Sequence, residues 1–272
     1  MSEESKVRDV VDAVAGVAKA VPIYQDAVQP AAQEIGKALQ TVAKTVHVAL
    51  APVSALVWGY EQIKDFVSTK VADRLKNVPP ENIVTPKPNV AGPALESLRY
   101  TGHEHTLSDL YANLLAASMD RKTANEAHPA FVEIIKQLTP DEARLLVRLA
   151  SAGPNPLINV RSEYNDAVEG KSGGSTILVN YSLLGIEAGV EFDDLTPSYI
   201  DNVCRLGLAE IPPMSEYTSP GVYDAVEQSE VIQALVIQIE SDPERKCALE
   251  RRVLNLSELG KQFSRVCIQQ KT

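Results

Sequence analysis

The chain has 272 residues, of which 44% are hydrophobic and 23% are charged, and this composition excludes a disordered or fibrous protein. Its net charge is −10, and residues 139–272 carry most of it, with twelve Lys/Arg against twenty Asp/Glu. Because nucleic-acid binders draw much of their affinity from concentrated positive charge, this distribution argues against nucleic acid as a partner.

The first 77 residues predict a long helical arm. Apolar side chains recur there in alternating steps of four and three residues, which is the spacing of a helix that packs against another helix. This seam consists of Ile35, Leu39, Val42, Val46, Ala49, Val53, Leu56, Tyr60, Ile63 and Val67, with Trp58 beside it. Pro52 interrupts the pattern and predicts a kink or a new helix start. We therefore predict that the arm associates with a second copy, giving a homo-oligomer.

The arm also contains sixteen successive residues, 45–60, without Asp, Glu, Lys or Arg. A helix that crosses a membrane needs about 20 apolar residues, and this segment is shorter and includes Pro52. We interpret it as part of a packed seam. The alternative is an effector whose arm inserts into the inner membrane on activation, with Trp58 at the interface. Under that alternative a cytoplasmic protein would be peripheral to the inner membrane.

Three scattered cysteines and the absence of a leader sequence support the cytoplasmic prediction. Cys204, Cys247 and Cys267 indicate neither a disulfide framework nor a zinc site. The opening MSEESKVRDVV lacks the basic and apolar parts of a secretory signal.

A proline-rich segment, residues 78–93, follows the arm. Five prolines between positions 79 and 93 predict an extended, non-helical linker and a domain boundary. A helical middle domain is predicted over 94–138, where Thr106 would cap one helix and Pro129 would lie in the first turn of the next.

The predicted C-terminal domain, residues 139–272, opens with a capping box, in which Thr139 precedes Pro140 and is followed by Glu142. Further on, a helix capped at Thr196 precedes a strand at 208–211. A second strand at 252–256 leads into a helix capped by Asn255 or Ser257. This order is similar to a winged helix-turn-helix, although about forty residues replace a short wing. Overall we predict a mostly α protein with an α+β, winged-helix-like C-terminal domain.

No segment carries a strong catalytic, cofactor or metal signature. His103 and His105 flank Glu104, but the other histidines are distant in sequence and a zinc site needs three or four ligands. The GKSGGST segment, residues 170–176, lacks the spacing of a phosphate-binding loop. In the predicted recognition helix Arg205 is the only basic residue, which favours a protein-interaction module. We predict no enzymatic activity and keep a site around the two histidines as the alternative.

Several segments together resemble a known family. These are PAAQEIGKALQTVAKTVHVALAPVSALVWGYEQIKDFV, HTLSDLYANLLAASMD, HPAFVEIIKQLTPDEARLL and DNVCRLGLAEIP, and in this order they resemble the Abi-alpha family over roughly residues 15–265. The resemblance implies antiviral defence by abortive infection, in proteins encoded by bacteria or phages, and it implies no catalytic residue. We therefore expect a non-enzymatic defence protein that acts through protein–protein contacts. It would contact a second copy of itself and an unknown partner protein, which could come from the phage.

Overall fold

A computed structural model describes residues 57–151, 153–165, 170 and 172–269 of the chain. Most of the predicted arm lies outside these residues. So do Pro52 and seven of the seam residues, namely Ile35, Leu39, Val42, Val46, Ala49, Val53 and Leu56. In the described ranges, helices dominate and two small antiparallel sheets complete the fold.

The helices are α1 (Tyr60–Phe66), α2 (Ala72–Leu75), α3 (Pro88–Thr101), α4 (His105–Met119), α5 (Ala130–Lys136), α6 (Pro140–Leu149), α7 (Leu184–Ala188), α8 (Thr196–Arg205), α9 (Asp224–Glu227), α10 (Glu230–Glu240) and α11 (Glu258–Phe263). The strands are β1 (Pro156–Tyr164), β2 (Gly174–Tyr181), β3 (Ala209–Glu210), β4 (Arg245–Val253) and β5 (Asn255–Leu256). Single turns of π-helix follow α1 and α11, at Val67–Val71 and Ser264–Ile268, and short 3-10 turns lie at Pro80–Asn82 and Asp193–Leu195.

Helix α4 lies at the centre of the main hydrophobic core. It contains no Lys, Arg or Glu, and it is buried on nearly all sides, as expected for a helix that is mostly apolar all round. Helices α3, α5 and α6 and the π-turn after α11 contact it. The largest fully buried side chains here include Tyr111, Phe131 and Phe263, and the two phenylalanine rings meet edge to face at 5.3 Å. This one core spans residues from Phe66 to Cys267.

The prediction that residues 78–93 are not helical is wrong for their second part. Helix α3 begins at Pro88, whose fixed φ suits the first helical position and whose missing N–H is not needed there. Pro93 lies inside the helix and removes one hydrogen bond, a loss that the full burial of Val90, Ala94 and Leu98 offsets.

The first part of the proline-rich segment is held against the body of the protein. The Val84 amide donates to the Met119 carbonyl over 2.8 Å, and the Arg121 amide donates to the Asn82 carbonyl over 2.9 Å. The predicted boundaries 1–77, 78–93, 94–138 and 139–272 remain predictions.

The predicted helix starts differ in their outcomes. The capping box at Thr139 is confirmed, because its hydroxyl accepts from the Glu142 amide and Glu142 accepts from the Thr139 amide over 2.7 Å. Ser257, one of the two candidates, caps α11. The other two caps are wrong: Glu104 precedes α4 in place of Thr106, and Thr196 is the first residue of α8, its hydroxyl donating to the Asp193 carbonyl.

The two predicted C-terminal strands pair with each other. Ala209 of β3 lies opposite Leu256 of β5 in a two-stranded antiparallel ladder, so the predicted order of helix, strand, strand and helix is present. The winged helix is not confirmed, however. The long connection supplies α9, α10 and β4, and β4 joins a separate three-stranded sheet with the order β2-β1-β4. Helix α10 packs on β1 and β4 over a second, smaller core.

Within the described ranges no helix is long enough and apolar enough to cross a membrane.

Candidate functional site

The described part of the seam lies on α1 and on the turn that follows it. Tyr60 is 76% exposed and Val67 is 36% exposed, while Ile63 is half-buried. The side of the same helical segment that packs on the protein carries Phe66, Val71 and Leu75 instead. The segment therefore has one face in the core and a second, partly apolar face that includes these seam residues.

The π-helical turn after α1 brings Phe66 and Val71 to the same buried face. Phe66 and Val71 are five residues apart, and in a regular α-helix that step would turn them away from each other. The turn at Val67–Val71 adds one residue to the helical repeat, so both side chains reach the core.

Trp58 fixes the start of α1 on the body. Its backbone N–H donates to the Arg99 carbonyl over 2.8 Å, and its ring meets Phe66 edge to face with 5.9 Å between centroids. The indole also lies against Gly102, where a β-carbon would stand 2.5 Å from two of the ring carbons. Glycine is therefore required at position 102 for this packing.

A groove of about 460 Å³ runs along this helical segment. Trp58 and Phe66 provide its aromatic wall, and Glu61 and Asp65 provide two carboxylates one helical turn apart. In the described part of the chain neither carboxylate takes part in an ion pair or hydrogen bond. Lys70 ends the groove, but its ammonium group donates to Asp109 over 2.9 Å and is thereby neutralised.

Beyond Lys70 a polar network ties the helical segment to α4 and to the C-terminal π-turn. Arg74 donates to Asp109 over 2.9 Å and to the side chain of Asn113 over 2.5 Å. Asn113 is 8% exposed and donates to the Cys267 carbonyl over 2.8 Å. Because each buried polar group has a partner, the network fixes the segment and the groove in place.

A second polar cluster positions α8 in the C-terminal part. Burial alone would raise the pKa of Asp141, but the amides of Glu191 and Phe192, the Tyr199 hydroxyl and Arg144 hold it below its ordinary value. Burial and then the hydrogen bond to Asp141 raise the pKa of Tyr199 to about 12. Such a carboxylate stays ionised near neutral pH and joins α6 to α8.

The structure gives little support to the hypothesis of a catalytic or metal site around His103 and His105. The imidazole of His103 lies 3.5 Å from the carboxylate of Glu104, while His105 begins α4. No group of three or more His, Cys, Asp or Glu side chains that could hold a metal ion occurs among the described residues. Burial raises the pKa of Cys204 to about 11 and raises the pKa of the fully buried Cys267 well above its ordinary value, which keeps both thiols protonated.

The structure also locates two segments that were not predicted to bind phosphate or DNA. The described residues of the GKSGGST segment lie between β1 and β2 and lead into the strand β2. In α8 the guanidinium of Arg205 is engaged by Asn202 and Gln137, and Asp201 accepts from Asn180.

The sequence analysis missed the groove on α1. Glu61, Asp65 and Phe66 fall between the seam positions, and a search for apolar residues at steps of three and four passes over them. The signal that could have revealed them is a pair of acids four residues apart directly after the only tryptophan of the chain.

Comparison with known proteins gives one family. One solved structure, of an uncharacterized protein from the hydrocarbon-degrading marine bacterium Alcanivorax borkumensis SK2, is 21% identical in sequence to this chain. The similarity covers 52% of this chain and 93% of that chain. Its TM-score of 0.34 is too low to support a conclusion about fold or function. No curated protein matches. The family model described as abortive infection alpha matches residues 59–267, which include both sheets, the α6–α8 cluster and the groove residues other than Trp58. The chain belongs to the Abi-alpha family.

Proposed function

We propose that this chain is an antiviral protein of the abortive-infection type that acts through protein–protein contacts and self-association, without catalysis. The family match over residues 59–267 supports the defence role. The family's description refers to an outcome of infection and names no mechanism. The proposal of protein–protein contacts therefore rests on the exposed surface of the protein.

The exposure of the seam on α1 is the observation that carries the proposal of self-association. Tyr60 and Val67 are seven residues apart and exposed, while Phe66 on another side of the helix is already packed in the core. Apolar side chains repeated at this interval are typical of a face that meets a second helix. A second copy of the chain would bury them.

The acidic C-terminal part is proposed to contact a different protein. Ile186 is 61% exposed and Phe192 is 53% exposed, and Glu187 and Glu191 adjoin them in sequence. Exposed aromatic and aliphatic side chains bordered by charge are typical of protein interfaces. Glu187 is paired with Arg148 over 2.6 Å, so it is the excess of twenty Asp/Glu over twelve Lys/Arg in residues 139–272 that favours a partner with a basic surface.

The test replaces Tyr60 and Val67 together by Asp in the full-length chain. We expect the mass measured by light scattering to fall and protection against phage to be lost, with an unchanged circular dichroism spectrum. The matched control is Ile237→Asp, because Ile237 is 71% exposed on α10 and lies outside the seam. An unchanged mass together with full protection in the seam variant would overturn the proposal.

A further inference from the structure

We infer that the groove along α1 binds a short extended segment of a partner protein in which a Lys or Arg lies beside an apolar side chain. The inference rests on the proposed function, because it specifies the chemistry of a protein partner. It assigns a surface that is separate from the exposed seam residues Tyr60 and Val67.

The charge of the groove selects a cation. Glu61 and Asp65 are four residues apart on the helix, so their carboxylates are neighbours and repel each other. Lys64 lies on the same helix but forms no ion pair with either acid in the described structure, and Lys70 is engaged by Asp109 and Ser108. A positive group placed between the two carboxylates would relieve the repulsion and gain two charge-assisted hydrogen bonds.

The aromatic wall selects an apolar side chain beside that cation. Trp58 is half-buried and its ring meets that of Phe66 at 62°, and because Phe66 is only 3% exposed the indole supplies most of the aromatic surface that the groove exposes. Aromatic rings bind aliphatic groups through apolar contact and bind cations over their faces. The same wall can therefore hold the aliphatic stem of Lys or Arg as well as a neighbouring apolar residue.

The length of the groove favours a peptide over a single side chain. It extends from Trp58 to Lys70, and nine residues of helix from Glu61 correspond to about 14 Å at 1.5 Å per residue. An extended peptide rises about 3.3 Å per residue, so four or five residues would fill this length. The volume of about 460 Å³ is within the usual range for binding sites.

Intrinsic tryptophan fluorescence can report binding in this groove. Trp58 is its only tryptophan, so a ligand in the groove should change the emission of the protein directly. The probe is a hexapeptide of alternating Leu and Lys, added to the full-length protein, and the comparison peptide alternates Leu and Glu. We expect saturable binding of the Lys peptide, at least ten-fold weaker binding of the Glu peptide, and weakening of the former by added salt.

The decisive variant is Glu61→Gln with Asp65→Asn, which removes both charges and keeps the shapes of the side chains. We expect it to weaken binding of the Lys peptide at least ten-fold, whereas Glu230→Gln, an exposed acid on α10, should leave binding unchanged. Equal binding of the two peptides, or an unaffected double variant, would overturn the inference. Binding to anionic lipid vesicles but not to the Lys peptide would also overturn it.

Peptide binding and the seam substitutions test the groove and the proposed self-association separately. The peptide could fail to bind while the replacement of Tyr60 and Val67 by Asp still lowers the mass of the oligomer and removes protection against phage. In that case the proposed function stands without the groove. If the peptide binds and those seam substitutions have no effect, the groove stands and the proposed self-association falls.

Discussion

The hydroxyl of Tyr199 donates a hydrogen bond of 3.1 Å to Oδ2 of Asp141. Asp141 lies in the first turn of α6 and Tyr199 lies in α8, so one buried contact joins two helices that are far apart in sequence. The amides of Glu191 and Phe192 donate to the same carboxylate over 3.0 and 3.2 Å. The approach to α8 is thus arranged around one negative charge at a helix N-terminus, where the helix dipole also favours it.

Asp141→Asn should destabilise the protein by roughly 2–3 kcal/mol near neutral pH, because the amide cannot accept all the hydrogen bonds that the carboxylate accepts. The pKa of Asp141 is below its ordinary value of 3.8, so the unfolded chain takes up the proton first. The contribution is therefore complete above that value and is lost as the pH falls through the folded-state pKa. Urea unfolding at several pH values measures it.

The control for Asp141 is Asp201→Asn, since Asp201 is exposed and, among the described residues, its carboxylate accepts only from the side chain of Asn180. This variant should change the free energy of unfolding by less than about 0.5 kcal/mol. A difference between wild type and Asp141→Asn that stays constant down to acid pH would contradict the role given to the ionised carboxylate.

The capping box at the start of α6 should be worth about 1 kcal/mol. Thr139→Ala removes the oxygen that accepts from the Glu142 amide and should lower the free energy of unfolding by that amount. Thr139→Ser keeps the oxygen and should retain most of the stability. If Ala and Ser are equally stable by urea unfolding, the hydroxyl does not act as a cap.

Gly102→Ala should displace the indole of Trp58. The new β-carbon would meet the ring at 2.5 Å, so we expect a red shift of tryptophan emission and a loss of roughly 1–3 kcal/mol in the free energy of unfolding. Gly92→Ala is the control, because nothing lies within 4 Å of its β-carbon and alanine is preferred inside a helix. An unchanged emission spectrum in Gly102→Ala would show that Trp58 lies elsewhere.

The two neighbouring histidines should be dispensable for defence. His103→Ala combined with His105→Ala should leave protection against phage intact, because the proposed mechanism contains no catalytic or metal-dependent step. The measurement is plaque formation on cells that express the variant at wild-type levels. Loss of protection in a variant that remains folded would favour the enzymatic alternative.

The sequence predicted features that depend on local chemistry. The cap at Thr139 and the order of α8, β3, β5 and α11 both follow from neighbouring residue types. Family membership was also predicted correctly, because it rests on several segments in a fixed order.

The features that the sequence analysis missed depend on contacts between distant segments. Pro93 remains helical because α3 is packed in the core, which outweighs the loss of one hydrogen bond. The π-turn after α1 places Phe66 and Val71 in that core at a spacing of five residues, which a search at steps of three and four does not detect. β4 joins β1 across about ninety residues, a pairing that no local pattern reveals.

The most direct test of action through contacts is to fractionate cells before and after phage infection and to measure the mass of the native protein by light scattering. The account predicts that the protein stays in the soluble fraction at both times, with a mass above the 29.5 kDa of one chain. A shift to the membrane fraction after infection would contradict it and would favour the membrane-acting alternative, in which the arm inserts.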